Sequence, residues 1–166
     1  MNVNVAINPV YYPYLKDERR LQIYYGGSSS GKSFFLCQRI ILDLLEGKRN
    51  YLVIRNVMAT IRLSTFNELT KAILSMNVQN YFNINMSNLT ITCKLNNKQI
   101  MFYGCDQIEK VKSITPKEGV LTDIFIEEAT EVDYNSYKQL RKRLRGRSDA
   151  SKRVTKAINP ISRSHW

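Results

Sequence analysis

The most constraining feature of the sequence is the segment GGSSSGKS at residues 26–33, which matches the pattern G-x-x-x-x-G-K-[ST]. A short β-prone run at residues 21–25 precedes it, and an apolar helical pattern follows as far as Glu46. Because glycine has no Cβ, the backbone here can curl and point successive N–H groups at phosphate oxygens. The N-terminus of the following helix adds a partial positive charge. The segment therefore predicts a phosphate-binding loop between a strand and a helix.

The residue types within this loop predict a nucleotide site that uses ATP and Mg²⁺. Lys32 can reach the β- and γ-phosphates, and the Ser33 hydroxyl can ligate Mg²⁺. A chance glycine–serine turn is the alternative interpretation, and the strand and helix on either side argue against it. The predicted nucleotide-binding residues are Gly26, Gly27, Ser28, Ser29, Ser30, Gly31, Lys32 and Ser33.

A second chemical feature lies at residues 124–128, where the apolar run IFI ends in Glu127 and Glu128. A buried strand that ends in carboxylates has the form of a Walker B segment. Glu127 would hold the magnesium shell as a metal ligand, and Glu128 would orient and polarise the attacking water. Many P-loop proteins have Asp at the first position, but the longer Glu127 can still bind through a magnesium-bound water. A solvated strand end, or the first turn of the next helix, is the alternative interpretation.

The positive charge of the chain is concentrated in one stretch. Lys and Arg number 25 against 14 Asp and Glu, a formal charge of +11, and residues 138–163 alone carry +9. Such a local field attracts polyanions, of which nucleic acid is the commonest, although a solvated helix face is the alternative. Adjacent glutamates after a Walker B strand suit hydrolysis that drives mechanical work better than a small-molecule kinase. The charge and the acidic pair together favour a DNA or RNA substrate.

Composition argues against several other kinds of site. His165 is the only histidine, so a histidine-rich metal site and a Ser-His or Cys-His pair are poorly supported. The three cysteines, Cys37, Cys93 and Cys105, are odd in number and widely spaced, so no disulfide framework is expected. No apolar run approaches the ~20 residues of a membrane span, and the N-terminus lacks a signal-peptide layout. These features predict an intracellular protein that does not cross a membrane.

Strand and helix patterns alternate along the chain, which predicts an α/β domain with a mainly parallel sheet flanked by helices. Residues 65–68 fit a capping box at the start of one helix, and residues 89–103 fit a β-hairpin insertion that turns at Asn96-Asn97. Residues 1–20 are predicted to form an N-terminal arm or lid, and residues 21–166 the folded domain. The predicted strands cover residues 21–25, 51–54, 89–95, 98–103, 124–126 and 154–158.

Several segments together resemble the large terminase subunit of tailed bacteriophages, the motors that drive viral DNA into preformed capsids. In chain order they are GGSSSGKS, YLVIRNVMATIRLSTFNEL, FYGCDQIEKVKSI, DIFIEEATEVD, YKQLRKRLRG and AINPISRSHW. The resemblance extends over residues 21–166, and IEEATE and NPISRSHW are more particular to the family than the phosphate loop. It implies a P-loop NTPase of the ASCE type, whose ATP hydrolysis powers translocation of double-stranded DNA into a procapsid.

The resemblance also implies partners and a location. Such a motor would act as a homo-oligomeric ring on a capsid portal, with the small terminase subunit, in the cytoplasm of the infected bacterium. Large terminases carry a nuclease domain after the motor domain, and no residues of this chain could supply one, so the ATPase domain alone is expected. The alternative functions are a nucleic-acid helicase or remodelling ATPase, and a nucleotide-gated DNA-binding module without turnover.

The family pattern implies further roles for single residues. Besides Lys32 and Glu128, the catalytic candidates are Asn159 and Lys112. Asn159 falls in the coupling motif, where a polar residue links the state of the γ-phosphate to movement, and a strand-ending Asn-Pro turn is the alternative. Lys112 lies in the segment where such motors often place an arginine that reaches a neighbouring subunit's ATP, and a surface charge is the alternative.

The remaining candidates lie in the basic stretch and around the pocket. Arg55 and Arg62 belong to a segment that the family associates with the nucleotide pocket or its edge, with an exposed helix cap as the alternative. Tyr11 and Tyr12 are candidates to stack on adenine, with packing against the domain as the alternative. The candidates for contact with DNA or a neighbouring subunit are Arg141, Lys142, Arg143 and Arg145.

Overall fold

A seven-stranded sheet forms the centre of the computed structural model, which describes Val3 and residues 5–111 and 113–159. The strands are β1 (Leu21–Tyr25), β2 (Tyr51–Arg55), β3 (Phe82–Asn85), β4 (Thr90–Cys93), β5 (Gln99–Gly104), β6 (Asp123–Ile126) and β7 (Arg153–Ile158). The helices are α1 (Lys32–Glu46), α2 (Met58–Ile61), α3 (Thr65–Ser75), α4 (Ile108–Val111) and α5 (Tyr134–Arg141). Short 3₁₀ turns cover Pro9–Tyr14, Gln79–Tyr81, Cys105–Gln107 and Ala129–Glu131.

The sheet is mainly parallel, as the sequence predicts. Its strands lie in the order β1-β7-β6-β2-β5-β4-β3, and the first five of that order run parallel. β6 is buried along its whole length and β2 along nearly all of it, which matches their continuous apolar sequences. β7 separates β1 from β6, the arrangement expected of the ASCE type. The carboxyl ends of β1, β7 and β6 consequently meet at one edge of the sheet.

Helices cover both faces of this sheet. Alternate residues of β2 contribute to two separate cores, because successive side chains of a strand point to opposite faces. On one face α1 and α3 pack together, with Phe35 and Leu69 in the core. On the other face α4 and α5 contribute Val111 and Leu140. Within the described ranges, no helix is long and apolar enough to cross a bilayer.

The predicted hairpin exists, but its turn is longer than two residues. β4 and β5 pair antiparallel, and the loop closes where the Cys93 N–H donates to the Lys98 carbonyl at 2.8 Å. Asn97 takes a left-handed conformation, φ 56°, which Asn tolerates better than most residues. β5 also pairs with β2, so the hairpin is continuous with the parallel sheet. β3, which the sequence patterns did not indicate, pairs with β4 and extends that edge.

The predicted capping box at residues 65–68 is wrong. Ser64 is the N-cap of α3 and Thr65 is its first residue, and the Ser64 side chain makes no capping hydrogen bond. The Glu68 N–H donates to the Ser64 carbonyl at 3.0 Å. The Thr65 hydroxyl instead donates a hydrogen bond to the carboxylate of Glu127, 62 residues further along the chain. The residues that resemble a helix cap are therefore turned toward the acidic strand end.

The residues before β1 pack against the sheet domain. The Tyr11 ring stacks on Phe35 with a centroid distance of 4.7 Å, and the Tyr11 hydroxyl donates to the Ser30 carbonyl at 2.8 Å. Val5 and Ile7 pack against the same core. Tyr11 thus has the packing role that was the alternative to adenine stacking, whereas Tyr12 is exposed. The division between an arm at residues 1–20 and a domain from residue 21 stays a prediction.

A buried ion network lies at the amino-terminal ends of β6 and β7, away from the phosphate loop. Arg153, only 1% exposed, donates hydrogen bonds to the carboxylates of Asp123 and Asp43. Arg49 donates to the second Asp123 oxygen at 3.1 Å. Burial raises the pKa of Asp123, and the two arginines oppose that rise. Arg153 belongs to the basic stretch at residues 138–163, so part of the charge predicted to attract polyanions is neutralised inside the protein.

Replacing Arg153 with Met is expected to lower the free energy of unfolding by about 3–5 kcal/mol, because Asp123 and Asp43 would remain buried without their partner. Urea denaturation of the folded chain measures this loss. Arg147→Met is the matched control, since Arg147 is exposed, and it is expected to change the free energy by about 0.5 kcal/mol or less. Equal effects of the two substitutions would show that the network does not hold the sheet together.

Candidate functional site

Residues from the phosphate loop, the acidic strand end and the end of the last strand meet in one cavity at the carboxyl ends of the parallel strands, where ligands bind in open α/β sheets. The loop after β1, the acids after β6 and Asn159 after β7 all reach it, and so does Arg55 at the end of β2. The cavity has a volume of about 460 Å³. Its lining consists of Ser28, Ser29, Ser30, Gly31, Lys32, Ser33, Phe34, Arg55, Leu63, Ser64, Glu68, Glu127, Glu128, Ala157 and Asn159.

The loop that contains the glycines has the backbone that the motif predicts. Gly31 takes the left-handed conformation, φ 79°, directly before α1, where an L side chain would be strained. The Gly26 N–H donates to the Ile158 carbonyl at 3.2 Å, which ties the start of the loop to the end of β7. The Ser30 N–H donates to the Gly27 carbonyl at 3.3 Å. Gly26 and Gly27 therefore shape the loop, and residues 28–33 line the cavity.

Lys32 and Asn159 are in direct contact, although 127 residues separate them in the sequence. The buried Lys32 ammonium donates hydrogen bonds to the Asn159 side-chain oxygen and, at 3.3 Å, to the Gly27 carbonyl. The lysine is thus folded back over its own loop. A phosphate group that entered the cavity would compete with these two oxygens for the ammonium group.

Glu127 is a buried carboxylate at the end of β6. Its N–H donates to the Ile54 carbonyl at 3.0 Å, and its side chain accepts the hydrogen bond of Thr65. Burial raises the pKa of Glu127, and the Thr65 hydrogen bond opposes that rise because it stabilises the ionised form. The motif predicted Glu127, but nothing local to the motif predicted Thr65.

Glu128 is held by Arg55. The Arg55 Nε donates to the Glu128 Oε2 at 3.1 Å, and a second guanidinium nitrogen bonds the same oxygen. Glu128 has φ 49°, an uncommon conformation for a residue other than glycine. Strained backbone of this kind occurs preferentially at functional sites, where the surrounding structure maintains it. Arg55 thus lies in the pocket itself, while Arg62 is exposed and makes one long hydrogen bond to the Ser87 carbonyl at 3.5 Å.

Glu68 is a third carboxylate of the cavity, which the phosphate-loop and Walker B motifs did not indicate. It lies one helical turn after Thr65 on α3, so both side chains face the same side of the helix. Its Oε2 atom is buried and accepts no hydrogen bond from the described residues. The capping-box interpretation of residues 65–68 assigned this glutamate to the helix terminus. The structure assigns its side chain to the cavity instead.

The basic candidates lie outside the cavity of the phosphate loop. Lys142, Arg143 and Arg145 line a separate cavity of about 540 Å³ with Gln139. Arg143 donates to the Ile114 carbonyl at 2.8 Å, and partial burial lowers its pKa. Arg141 and Lys142 line another cavity of about 240 Å³ with Arg20 and Lys138. Lys112 and the residues after Asn159 fall outside the part of the chain that the structure describes.

Residues 18–166 match the family described as "Phage terminase large subunit". The PBSX phage terminase large subunit of Bacillus subtilis is 34% identical over 161 residues, which are 96% of this chain and 36% of that protein. The chain therefore spans about a third of the length of this relative.

Solved structures show the same fold. The large terminase of a thermophilic bacteriophage superposes with a TM-score of 0.69 over 92% of this chain and 36% of the other, at 15% identity. That phage protein has also been solved in complex with ATP-γ-S, and the complex matches with a TM-score of 0.62 at 14% identity, over 88% of this chain and 34% of the other. The bacteriophage Phi-29 viral genome packaging motor assembly matches with a TM-score of 0.63 at 15% identity, over 94% of this chain and 47% of the other. The fold of this chain is that of the terminase ATPase domains, a P-loop fold of the ASCE type, and the chain belongs to the phage terminase large subunit family.

Proposed function

We propose that the chain is the ATPase domain of a DNA-packaging motor, and that it hydrolyses Mg²⁺-ATP to move double-stranded DNA into a procapsid. One observation carries this proposal, namely the convergence of Lys32, Glu127, Glu128 and Asn159 on the cavity of the phosphate loop. The thermophilic-phage terminase complex with ATP-γ-S and the Phi-29 packaging motor support it by analogy. Residues 21–166 would form this domain, with residues 1–20 as an arm packed on it.

The cavity offers suitable groups for each part of the nucleotide. The N–H groups of the glycine-rich loop would hold the phosphates, and Lys32 would leave Asn159 and Gly27 to reach the β- and γ-phosphates. The Ser33 hydroxyl and the Glu127 carboxylate are hard oxygen donors, which fit Mg²⁺. The bound ion would neutralise the negative charge of the phosphates while the γ-phosphoryl group is transferred to water.

Glu128 would act as the general base. In the described arrangement its carboxylate is bonded to Arg55, so the side chain must turn from Arg55 toward the cavity to accept a proton from water. Arg55 holds the carboxylate in place until then, through two hydrogen bonds to its Oε2 atom. Asn159 would report whether Lys32 is bound to a phosphate, since Lys32 donates a hydrogen bond to the Asn159 side-chain oxygen and a phosphate would compete for it. Movement of β7 or of the residues after it would follow from that change.

The proposed movement of DNA rests on the family context. A homo-oligomeric ring on a portal, with the small terminase subunit, would bring the basic residues of α5 and the following turn to DNA or to a neighbouring ATP. Arg141, Lys142 and Arg145 are exposed and available for such a contact, while Arg143 is partly buried against Ile114.

Glu128→Gln is expected to lower the rate of ATP hydrolysis by about 10²–10⁴-fold, because the amide cannot accept the proton of the attacking water. Binding of a fluorescent ATP analogue should persist, since the substitution keeps the side-chain shape. Phosphate release and analogue binding are measured on the same preparation. Glu131→Gln is the matched control, an exposed glutamate three residues away. Unchanged hydrolysis in Glu128→Gln would remove this residue from the role of base, and no hydrolysis by the wild type with DNA and partner subunits would favour a binding module without turnover.

Thr65→Val is expected to raise the Mg²⁺ concentration needed for half-maximal ATP binding by about 10-fold or more, because Glu127 would lose the donor that orients it. A magnesium titration with a fluorescent ATP analogue measures this shift. Thr65→Ser keeps the hydroxyl and should stay within about twofold of the wild type. If the serine variant is impaired as strongly as the valine variant, the hydroxyl is not sufficient for Mg²⁺ binding and the predicted role of the hydrogen bond is wrong.

Neutralising Arg141, Lys142 and Arg145 together to Ser is expected to weaken binding of duplex DNA and to reduce the slope of log K against log [salt] by up to about 3. Fluorescence anisotropy at several salt concentrations measures this slope. A control variant carries the same charge change at exposed lysines outside α5, namely Lys16, Lys71 and Lys94. Unchanged DNA binding together with lost hydrolysis would contradict the DNA contact and favour a contact with the ATP of a neighbouring subunit.

A further inference from the structure

Glu68 lies where the nucleotide and its cation would meet. It lines the same cavity as Lys32, Ser33 and Glu127. It is one turn after Thr65, whose hydroxyl holds Glu127, so α3 presents a donor and a carboxylate side by side. The two side chains differ, because the threonine hydroxyl donates to Glu127 and the buried Glu68 oxygen has no donor in the part of the chain that the structure describes.

One carboxylate oxygen of Glu68 has no hydrogen-bond partner within the described ranges. Its Oε2 atom is buried and accepts no hydrogen bond from the described residues. Nearly all buried polar atoms in native proteins are hydrogen-bonded, and leaving one unsatisfied is unfavourable. Glu68 and Glu127 also line the same cavity, and like charges in a shared site oppose each other. The arrangement is therefore unfavourable in the protein alone and would be relieved by a positively polarised ligand.

The proposed ligands of the cavity, Mg²⁺ and the nucleotide, would supply a hydrogen-bond donor to this oxygen. Mg²⁺ sheds its water reluctantly and is usually held by one or two carboxylates together with substrate phosphates, so it retains several waters. Glu127 and Ser33 are the direct donors in the proposed function. A carboxylate next to them is suited to accept a hydrogen bond from a retained water. Since the terminal torsion of a glutamate is broad and roughly two-fold, either oxygen of Glu68 can turn to face the cavity.

We propose that Glu68 is a positioning residue for the metal–nucleotide complex, accepting a hydrogen bond from a water held by the bound cation. The inference rests on the proposed ATPase function and deepens it, because it assigns an acidic residue of α3 to the nucleotide pocket. Outer partners of this kind orient the groups that bind the metal, and their removal weakens metal affinity by about 10–100-fold.

A binding experiment with Mn²⁺ in place of Mg²⁺ tests this without measuring turnover. Electron paramagnetic resonance reports free Mn²⁺ in the presence of the 166-residue chain and a non-hydrolysable ATP analogue. Glu68→Gln is expected to weaken Mn²⁺ binding by about 10–100-fold, while analogue binding in EDTA stays unchanged. Glu46→Gln is the control, because Glu46 is exposed at the far end of α1 from the phosphate loop, and it should bind Mn²⁺ like the wild type.

The melting temperature of the nucleotide-free protein separates positioning from a structural role. Glu68→Gln removes a partly buried charge whose Oε2 atom has no hydrogen-bond donor among the described residues, so the melting temperature should not fall. A lowered melting temperature with unchanged Mn²⁺ affinity would assign Glu68 to the packing of α3 and overturn the inference. If Glu68→Gln binds Mn²⁺ as tightly as the wild type does, the inference about Glu68 is overturned and the ATPase proposal stays intact. Failure of the wild type to bind Mn²⁺ with the analogue would overturn both.

Discussion

The geometry of the site depends on the buried ion network around Arg153. Asp123 begins β6, Arg153 begins β7 and Asp43 lies in α1, and the opposite ends of these same elements carry the acidic pair, Asn159 and Lys32. A slip of one residue between β6 and β7 would turn every side chain to the other face and leave the buried charges unpaired. A buried ion pair adds little net stability over an apolar packing of the same volume. Here the ion network determines the register of the strands, and the register determines where the reacting groups lie.

That register explains why residues distant in sequence contact each other in the cavity. Asp123 pairs with Arg153 and Ile126 with Lys156, while Tyr25 pairs with Ile158 in the next strand. β1 and β7 consequently end level with each other, and β6 ends two residues earlier, where Glu127 and Glu128 follow it. The Gly26 N–H bonds the Ile158 carbonyl as the loop begins. Hence one cavity contains the ammonium group of the loop, the amide after β7 and the carboxylates after β6. The parallel sheet thus builds the site from single residues at strand ends.

The sequence predicted the parts of this site whose chemistry is local. The phosphate loop and Glu127-Glu128 each combine a residue pattern with a flanking strand, and the structure brings them together as the fold requires. Contacts over long separations were not predictable, because no pattern within α3 signals that Thr65 bonds Glu127 or that the buried oxygen of Glu68 has no donor among the described residues. The sequence Thr-Phe-Asn-Glu fits a helix-cap pattern. That pattern accounts for these residues locally, so it gives no reason to expect their tertiary contacts.

Charge was the other property that the linear sequence misrepresented. Arg153 counted toward the basic stretch, yet it is buried between carboxylates, and Lys156 lies over the Tyr137 ring at 3.7 Å from its centroid. β3 was missed for a related reason, since its Asn residues lower the apolar signal of a strand that forms the far edge of the sheet. Inside the cavity negative charge is in excess, because three carboxylates line it together with Lys32 and Arg55. A site with this balance suits a cation and a phosphate together, because each ligand neutralises the charge that would exclude the other.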